Sequence, residues 1–113
     1  MQYMLLINVP EDFRPSSEDQ RKMMDEYMAF TQDIINTGKF KAGNRLEPAS
    51  TATTVKVRNG KTLTTDGPYA ETKEQLGGYY LIEAANLDEA VTVAARIPGA
   101  RHGSVEVRPV AQM

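Results

Sequence analysis

The sequence predicts an α+β protomer in the ferredoxin-like βαββαβ order, enlarged in its middle by an extra hairpin. Two runs carry most of that inference. Tyr3 to Val9 is apolar on both alternating sets, with Tyr3, Leu5, Ile7 and Val9 on one side and Met4 and Leu6 on the other. Tyr79-Tyr80-Leu81-Ile82-Glu83-Ala84-Ala85 has the same character. A strand apolar on both faces must be covered on both faces, which puts these two at the centre of a sheet. The third observation is that each run is followed by a segment with apolar residues at three- and four-residue spacing, the period of a helix lying on that sheet.

In chain order, the first strand ends at Pro10 and a polar connection runs from Glu11 to Pro15. Ser16 and Ser17 offer an N-cap, with Gln20 three residues beyond Ser17 in a capping-box pattern. Met23, Met24, Tyr27, Phe30, Thr31, Ile34 and Ile35 form the predicted buried stripe of the first helix, and Gly38 ends it. Its methionines read as core filler. Phe40 to Ser50 reads as loop, with a short extended piece at Arg45-Leu46-Glu47. Thr51 to Arg58 and Lys61 to Thr65 are the arms of a hairpin around Asn59-Gly60, the strongest short signal for such a turn.

Asp66 to Gly78 then forms a charged connection longer than the usual roughly 4–6 residues, which marks it as an ordered functional loop. Asn86, with Glu89 three residues on, starts the second helix. Leu87, Ala90, Val91, Ala94 and Ile97 are its predicted buried stripe, and Pro98-Gly99 stops it. The alternating run Ser104 to Val110 closes the sheet. Helices on one sheet face leave Met4, Leu6 and either Tyr79 and Leu81 or Tyr80 and Ile82 on the other. A homodimer whose sheets pack face to face, as a dimeric α/β barrel, covers that patch.

The totals bound the function. With 113 residues, a single domain over 1–113 is expected. A net charge of -2, with both signs interspersed, offers no nucleic-acid face. The absence of cysteine removes disulfides, thiolate metal sites and cysteine nucleophiles. Tyr3 to Val9 is too short to span a bilayer and has no basic segment before it, so neither a membrane segment nor a cleaved leader is expected. The expected location is cytoplasmic.

Few side chains stand out as chemical. His102 is the only histidine, the residue type that titrates nearest neutrality, and Gly99 and Gly103 flank it. It reads as a general acid or base oriented by Asp66 or Glu71, against the plainer reading of a surface-turn histidine. Asp66-Gly67-Pro68 is turn chemistry on its own terms. Its continuation sets Glu71, Lys73 and Glu74 beside Tyr69, Tyr79 and Tyr80, the mix of polar groups around aromatic surface that lines small-molecule pockets. A solvated charge run in front of core tyrosines is the alternative. Glu106 and Arg108 share one face of the last strand, where they line a cavity, bridge two protomers or face solvent. No metal-ligand spacing and no nucleotide-binding glycine pattern is present.

The run Thr65-Asp66-Gly67-Pro68-Tyr69-Ala70-Glu71-Thr72-Lys73-Glu74-Gln75-Leu76-Gly77-Gly78-Tyr79-Tyr80-Leu81-Ile82-Glu83 closely resembles the signature of the DGPF proteins, grouped with the YciI-like (YCII-related) family. Tyr69 stands where that signature usually has phenylalanine. Thr53 to Arg58 and Arg101 to Val110 look like the same family, so the resemblance covers essentially the whole chain. It implies a dimeric α/β barrel and, from a histidine and an aspartate lining a cleft in YciI-like proteins, an enzyme. This chain departs there: its first helix has no histidine, so that dyad does not transfer and His102 replaces it from elsewhere. Some DGPF proteins are linked to sigma-factor-like transcription proteins.

The expectation is therefore a homodimer with a small organic ligand, no cofactor and no metal. His102 and Asp66 are the catalytic candidates for cofactor-independent proton transfer. Pro68, Tyr69, Glu71, Lys73, Tyr80 and Arg108 are the ligand-binding candidates. The alternative is a non-catalytic ligand-sensing or interaction module with a transcription-related protein partner. Direct contact with nucleic acid or membrane is not expected.

Overall fold

A computed structural model describes residues 1–112. The strands are β1 (Gln2–Pro10), β2 (Phe40–Arg45), β3 (Thr53–Arg58), β4 (Lys61–Asp66), β5 (Glu74–Glu83) and β6 (Ser104–Pro109). The helices are α1 (Ser17–Asn36) and α2 (Leu87–Ala95), with 3-10 turns at Ala49–Thr51 and Pro98–Arg101. Four strands form an antiparallel sheet in the order β2-β5-β1-β6, the split-βαβ arrangement of an α+β protein. The two strands apolar on both faces, β1 and β5, are the central pair. β3 and β4 form a separate two-stranded ribbon.

The helices cover one sheet face. Tyr3, Leu5 and Ile7 of β1 and Tyr80, Ile82 and Ala84 beside them are buried against Phe30 and Ile34 of α1 and Ala90, Val93, Ala94 and Ile97. Phe40, Val105 and Val107 extend this core to the edge strands. The pleat sends their neighbours to the opposite face, where Met4 lies between Leu81 and Arg108, and Leu6 between Tyr79 and Glu106. Of the two alternatives left open by the sequence, Tyr79 and Leu81 are therefore the open-face pair, and Tyr80 and Ile82 belong to the core.

Both helices start on side-chain caps. Ser16 Oγ accepts the Asp19 N–H at 3.1 Å, and Asn86 Oδ1 accepts the Glu89 N–H at 2.9 Å. Arg96, just past α2, bonds Asp33 of α1 at 2.5 Å and lies 5.5 Å from the Phe30 ring centroid, which ties the helix ends together.

Four expectations need correction. The second sheet strand is Phe40–Arg45, within a stretch read as loop. It is held because Asn44 and Arg45 pair with Tyr79 and Gly78, and because Gly43 lets the Tyr80 ring lie against the backbone. The long loop is shorter than Asp66 to Gly78, since β5 begins at Glu74 and runs through a bulge at Gly77. On α1, Met24, Met28 and Ile35 face outward, Met28 at 64% exposure, so only part of the apolar pattern is core. On α2, Leu87 and Val91 are likewise exposed and Val93 takes the buried position.

The protomer, ribbon included, is flat, measuring 47 × 43 × 18 Å, and the strands of the β3–β4 ribbon pair only with each other. Val55, Val57, Thr62 and Thr64 share one of its faces, and the valines are 58% and 59% exposed. At its root Gly67 N–H bonds Ala52 O at 2.7 Å, and Thr54 Oγ1 donates to Gly67 O at 2.9 Å. Asn59 and Gly60 take the positive φ angles, 52° and 73°, that the turn requires. Among the described residues no helix is long and apolar enough to cross a membrane.

Candidate functional site

His102 follows the 3-10 turn that links α2 to β6. Its backbone N–H reaches Gly99 O at 3.2 Å, which closes the turn. That ring stacks on Phe13, with centroids 4.8 Å apart and planes 25° from parallel. Phe13 comes from the connection between β1 and α1, which Arg14 folds back on itself by donating from Nη1 to Glu11 O at 2.7 Å and Phe13 O at 3.0 Å. Gly103 is needed for the approach: a Cβ there would lie 2.1 Å from Asn8 O.

The two rings border an open groove of about 650 Å³, within the usual range for small-molecule sites. Pro10, Pro15 and Met23 give it apolar surface, while Asp12, Asp19, Glu26, Arg14, Lys22 and Arg101 give it charge. Arg101 is held by Glu26 at 2.7 Å and Lys22 leans toward Glu18 at 3.5 Å, which leaves the rim charges oriented and nearly balanced. The arrangement offers a flat aromatic surface, one imidazole and carboxylates beside it, the components of acid–base chemistry on a small planar molecule.

The loop candidates lie elsewhere. Neither Asp66 nor Glu71 lines this groove. Asp66 ends β4 opposite Thr53, Pro68 is half-buried, and Glu71 is exposed. Tyr69 is 83% exposed, with Lys56 Nζ 5.8 Å from its ring centroid. Lys73 contributes its carbonyl, which accepts the Glu11 N–H at 2.8 Å. Thr72 Oγ1 donates to Glu74 O, and Gln75 Nε2 donates to Ala70 O at 3.0 Å and Thr72 O at 3.1 Å, so the loop is ordered from within.

Tyr80 is a core side chain. Its hydroxyl shares a 2.6 Å hydrogen bond with Thr31, and its ring meets Phe30 and Phe40 edge-on. Burial raises its pKa, partly offset by the Thr31 bond. Tyr27 behaves alike: burial raises its pKa, and the Gly99 N–H that it accepts at 3.1 Å pulls the other way. Both phenols are used in packing, one on Thr31 and the other on the backbone at Gly99. Tyr79 instead reaches the open sheet face, where its hydroxyl accepts from Asn44 Nδ2 at 2.8 Å. Arg108 lies on that face too, 3.5 Å from Glu106 of its own strand, both well exposed.

Sequence reasoning missed Phe13, Asp12 and Arg14 as neighbours of His102. One signal was available: Phe13 is a single aromatic residue between two charged ones in an otherwise polar connection.

Comparison with known proteins agrees with this architecture. A protein of Rhizobium meliloti (strain 1021), itself uncharacterised, is 42% identical over 98 residues, which covers 85% of this chain and 79% of that protein. Among solved structures, the 5-chloro-2-hydroxyhydroquinone dehydrochlorinase TftG of Burkholderia phenoliruptrix AC1100, in complex with 2,5-dihydroxybenzoquinone, superposes with a TM-score of 0.55. It covers 100% of this chain and 96% of its own at 14% identity, a likeness of fold. The family model for the YCII-related domain matches residues 1–113. The chain belongs to the YCII-related domain family.

Proposed function

We propose that this protein performs cofactor-independent acid–base chemistry on a small organic molecule in the groove beside His102, and that it works as a homodimer. The observation that carries the reading is the stacked Phe13–His102 pair bordering a groove of about 650 Å³ with carboxylates on its rim. His102 moves the proton. Of the carboxylates that line the groove, Asp12 and Asp19 have no cationic partner among the ion pairs of the described residues, and they replace Asp66 and Glu71 as candidates for its orientation. In isomerisation His102 takes a proton from one carbon and returns it to another; in elimination it takes the proton while the leaving group departs with its bonding pair; in hydrolysis it takes the proton of the attacking water and gives it to the group that leaves. TftG, of the same fold, has an elimination in its name and a hydroxylated ring in its complex, which supports a planar, hydroxylated substrate class. The open sheet face, with Met4, Leu6, Tyr79 and Leu81, is the surface that a second copy covers in a dimeric α/β barrel.

Proton exchange into ligand in D2O, followed by NMR over a panel of hydroxylated aromatic and enolisable compounds, tests this reading. The wild-type chain is expected to exchange at least one compound, and His102→Gln to slow that exchange by about 10²–10⁴-fold. Equal rates in the two proteins would remove His102 from the chemistry.

A second reading, a non-catalytic interaction module linked to a sigma-factor-like transcription protein, is favoured by one feature. Tyr69, in the 67–73 loop, does not line the His102 groove and projects into solvent. Tyr69→Ala is then expected to weaken co-purification with a co-expressed sigma-factor-like protein about tenfold or more, as loss of an interface anchor does. An unchanged complex, or none with the wild type, counts against it.

A further inference from the structure

The loop and the His102 groove share no lining residue, yet they are bonded to each other at one place. The last loop residue, Lys73, accepts the Glu11 N–H at 2.8 Å, two residues before Phe13. The next residue, Glu74, accepts from Ser104 Oγ at 2.5 Å through Oε1, two residues after His102. Glu74 is on β5 and Ser104 on β6, with β1 between them: Glu74 pairs with Pro10, and Ser104 pairs with Asn8. The side-chain bond therefore crosses over β1, and the backbone bond grips the start of the connection that carries Phe13.

We propose that Glu74 and Ser104 form a positioning clamp for the Phe13–His102 pair, so that the 67–73 loop sets the geometry of the groove without entering it. The inference rests on the reading of the His102 groove as the reactive site, and it names how that site is regulated. On one side, the connection that carries Phe13 is tied to Lys73 through Glu11. On the other side, Ser104, two residues after His102, is held by Glu74, and Gly103 between them has no room for a side chain beside Asn8 O and Pro10. A ligand or protein that shifts the exposed loop would thus reach the ring pair through two hydrogen bonds. A hydrogen bond from a hydroxyl to a carboxylate is short and charge-assisted, which suits it to fixing a position.

The single histidine gives one pair of imidazole signals, Cδ2–H and Cε1–H, in a carbon–proton NMR spectrum, so their positions report the clamp directly. In the full chain, Glu74→Ala and Ser104→Ala are each expected to shift or broaden the His102 ring signal, and the double variant to match either single one. Glu74→Gln and Ser104→Thr keep an acceptor and a hydroxyl, and are expected to restore the wild-type signal. Both side chains are exposed, so the variants leave the core intact, and equal thermal midpoints confirm that. The proposal is overturned by an unmoved signal in both alanine variants, by additive shifts in the double variant, or by conservative variants as perturbed as the alanines. This readout needs no turnover, so it separates failure of the clamp from failure of His102 in proton exchange.

Discussion

Replacing Ile82 by alanine is expected to destabilise the protomer by about 3 kcal/mol, within the usual span of roughly 2–5 for a buried isoleucine. Ile82 is fully buried near the end of β5, opposite Tyr3 on one side and Phe40 on the other. The lost methyls leave a void under α1 and α2 that strands paired on both sides cannot collapse to fill. Against a total stability of about 5–15 kcal/mol, such a loss removes a large share. Leu81, one residue earlier, provides the contrast, because it points to the open face. Leu81→Ala is expected to cost less in a dilute protomer; a second copy on that face makes the wild-type midpoint rise with protein concentration, and Leu81→Ala is expected to reduce that rise. Denaturant titration of both variants at two protein concentrations checks the pair. A loss below about 1 kcal/mol for Ile82→Ala would contradict the packing described.

Gly103→Ala is expected to be about as severe and to act on the site as well as on the fold. The added Cβ would meet Asn8 O at 2.1 Å and Pro10 Cδ at 3.1 Å, and the nearer obstacle is backbone in the central strand. No rotamer change relieves that contact. The start of β6 must move away from β1, which breaks the Asn8–Ser104 pairing and carries His102 off Phe13. Overpacking of this kind costs about 1–3 kcal/mol and sometimes more. The expected result is a lower melting midpoint together with loss of proton exchange in the groove. A Gly103→Ala protein with wild-type stability and an unshifted His102 signal would show that the corner has more room than this geometry allows.

The central strands were legible because hydrophobic residues on both alternating sets of β1 and β5 leave no other place for them. The hairpin was legible because Asn59-Gly60 encodes its own turn. β2 was not, since Phe40 to Arg45 contains lysine, glycine and asparagine and is a strand only by pairing with β5 along its edge. The outward methionines of α1 failed for a related reason. Residues 24, 28 and 35 continue the same three- and four-residue spacing as the core stripe, and spacing alone does not say which side of a wide stripe meets the sheet.

At the site, His102 was legible as the only imidazole, but its surroundings were not. Asp66 and Glu71 are near it in neither sequence nor protomer, whereas Phe13 is brought to it by the corner at Gly103, a contact between residues almost ninety positions apart. Local signals do not encode such a meeting.

The β3–β4 ribbon has a consequence for how this scaffold can change. Because it pairs only with itself and is anchored at its root, its length and sequence can drift without altering the register of the four-stranded sheet. The body and the appendage are thus separable in evolution: one keeps the geometry at the Gly103 corner, while the other is free to acquire new contacts.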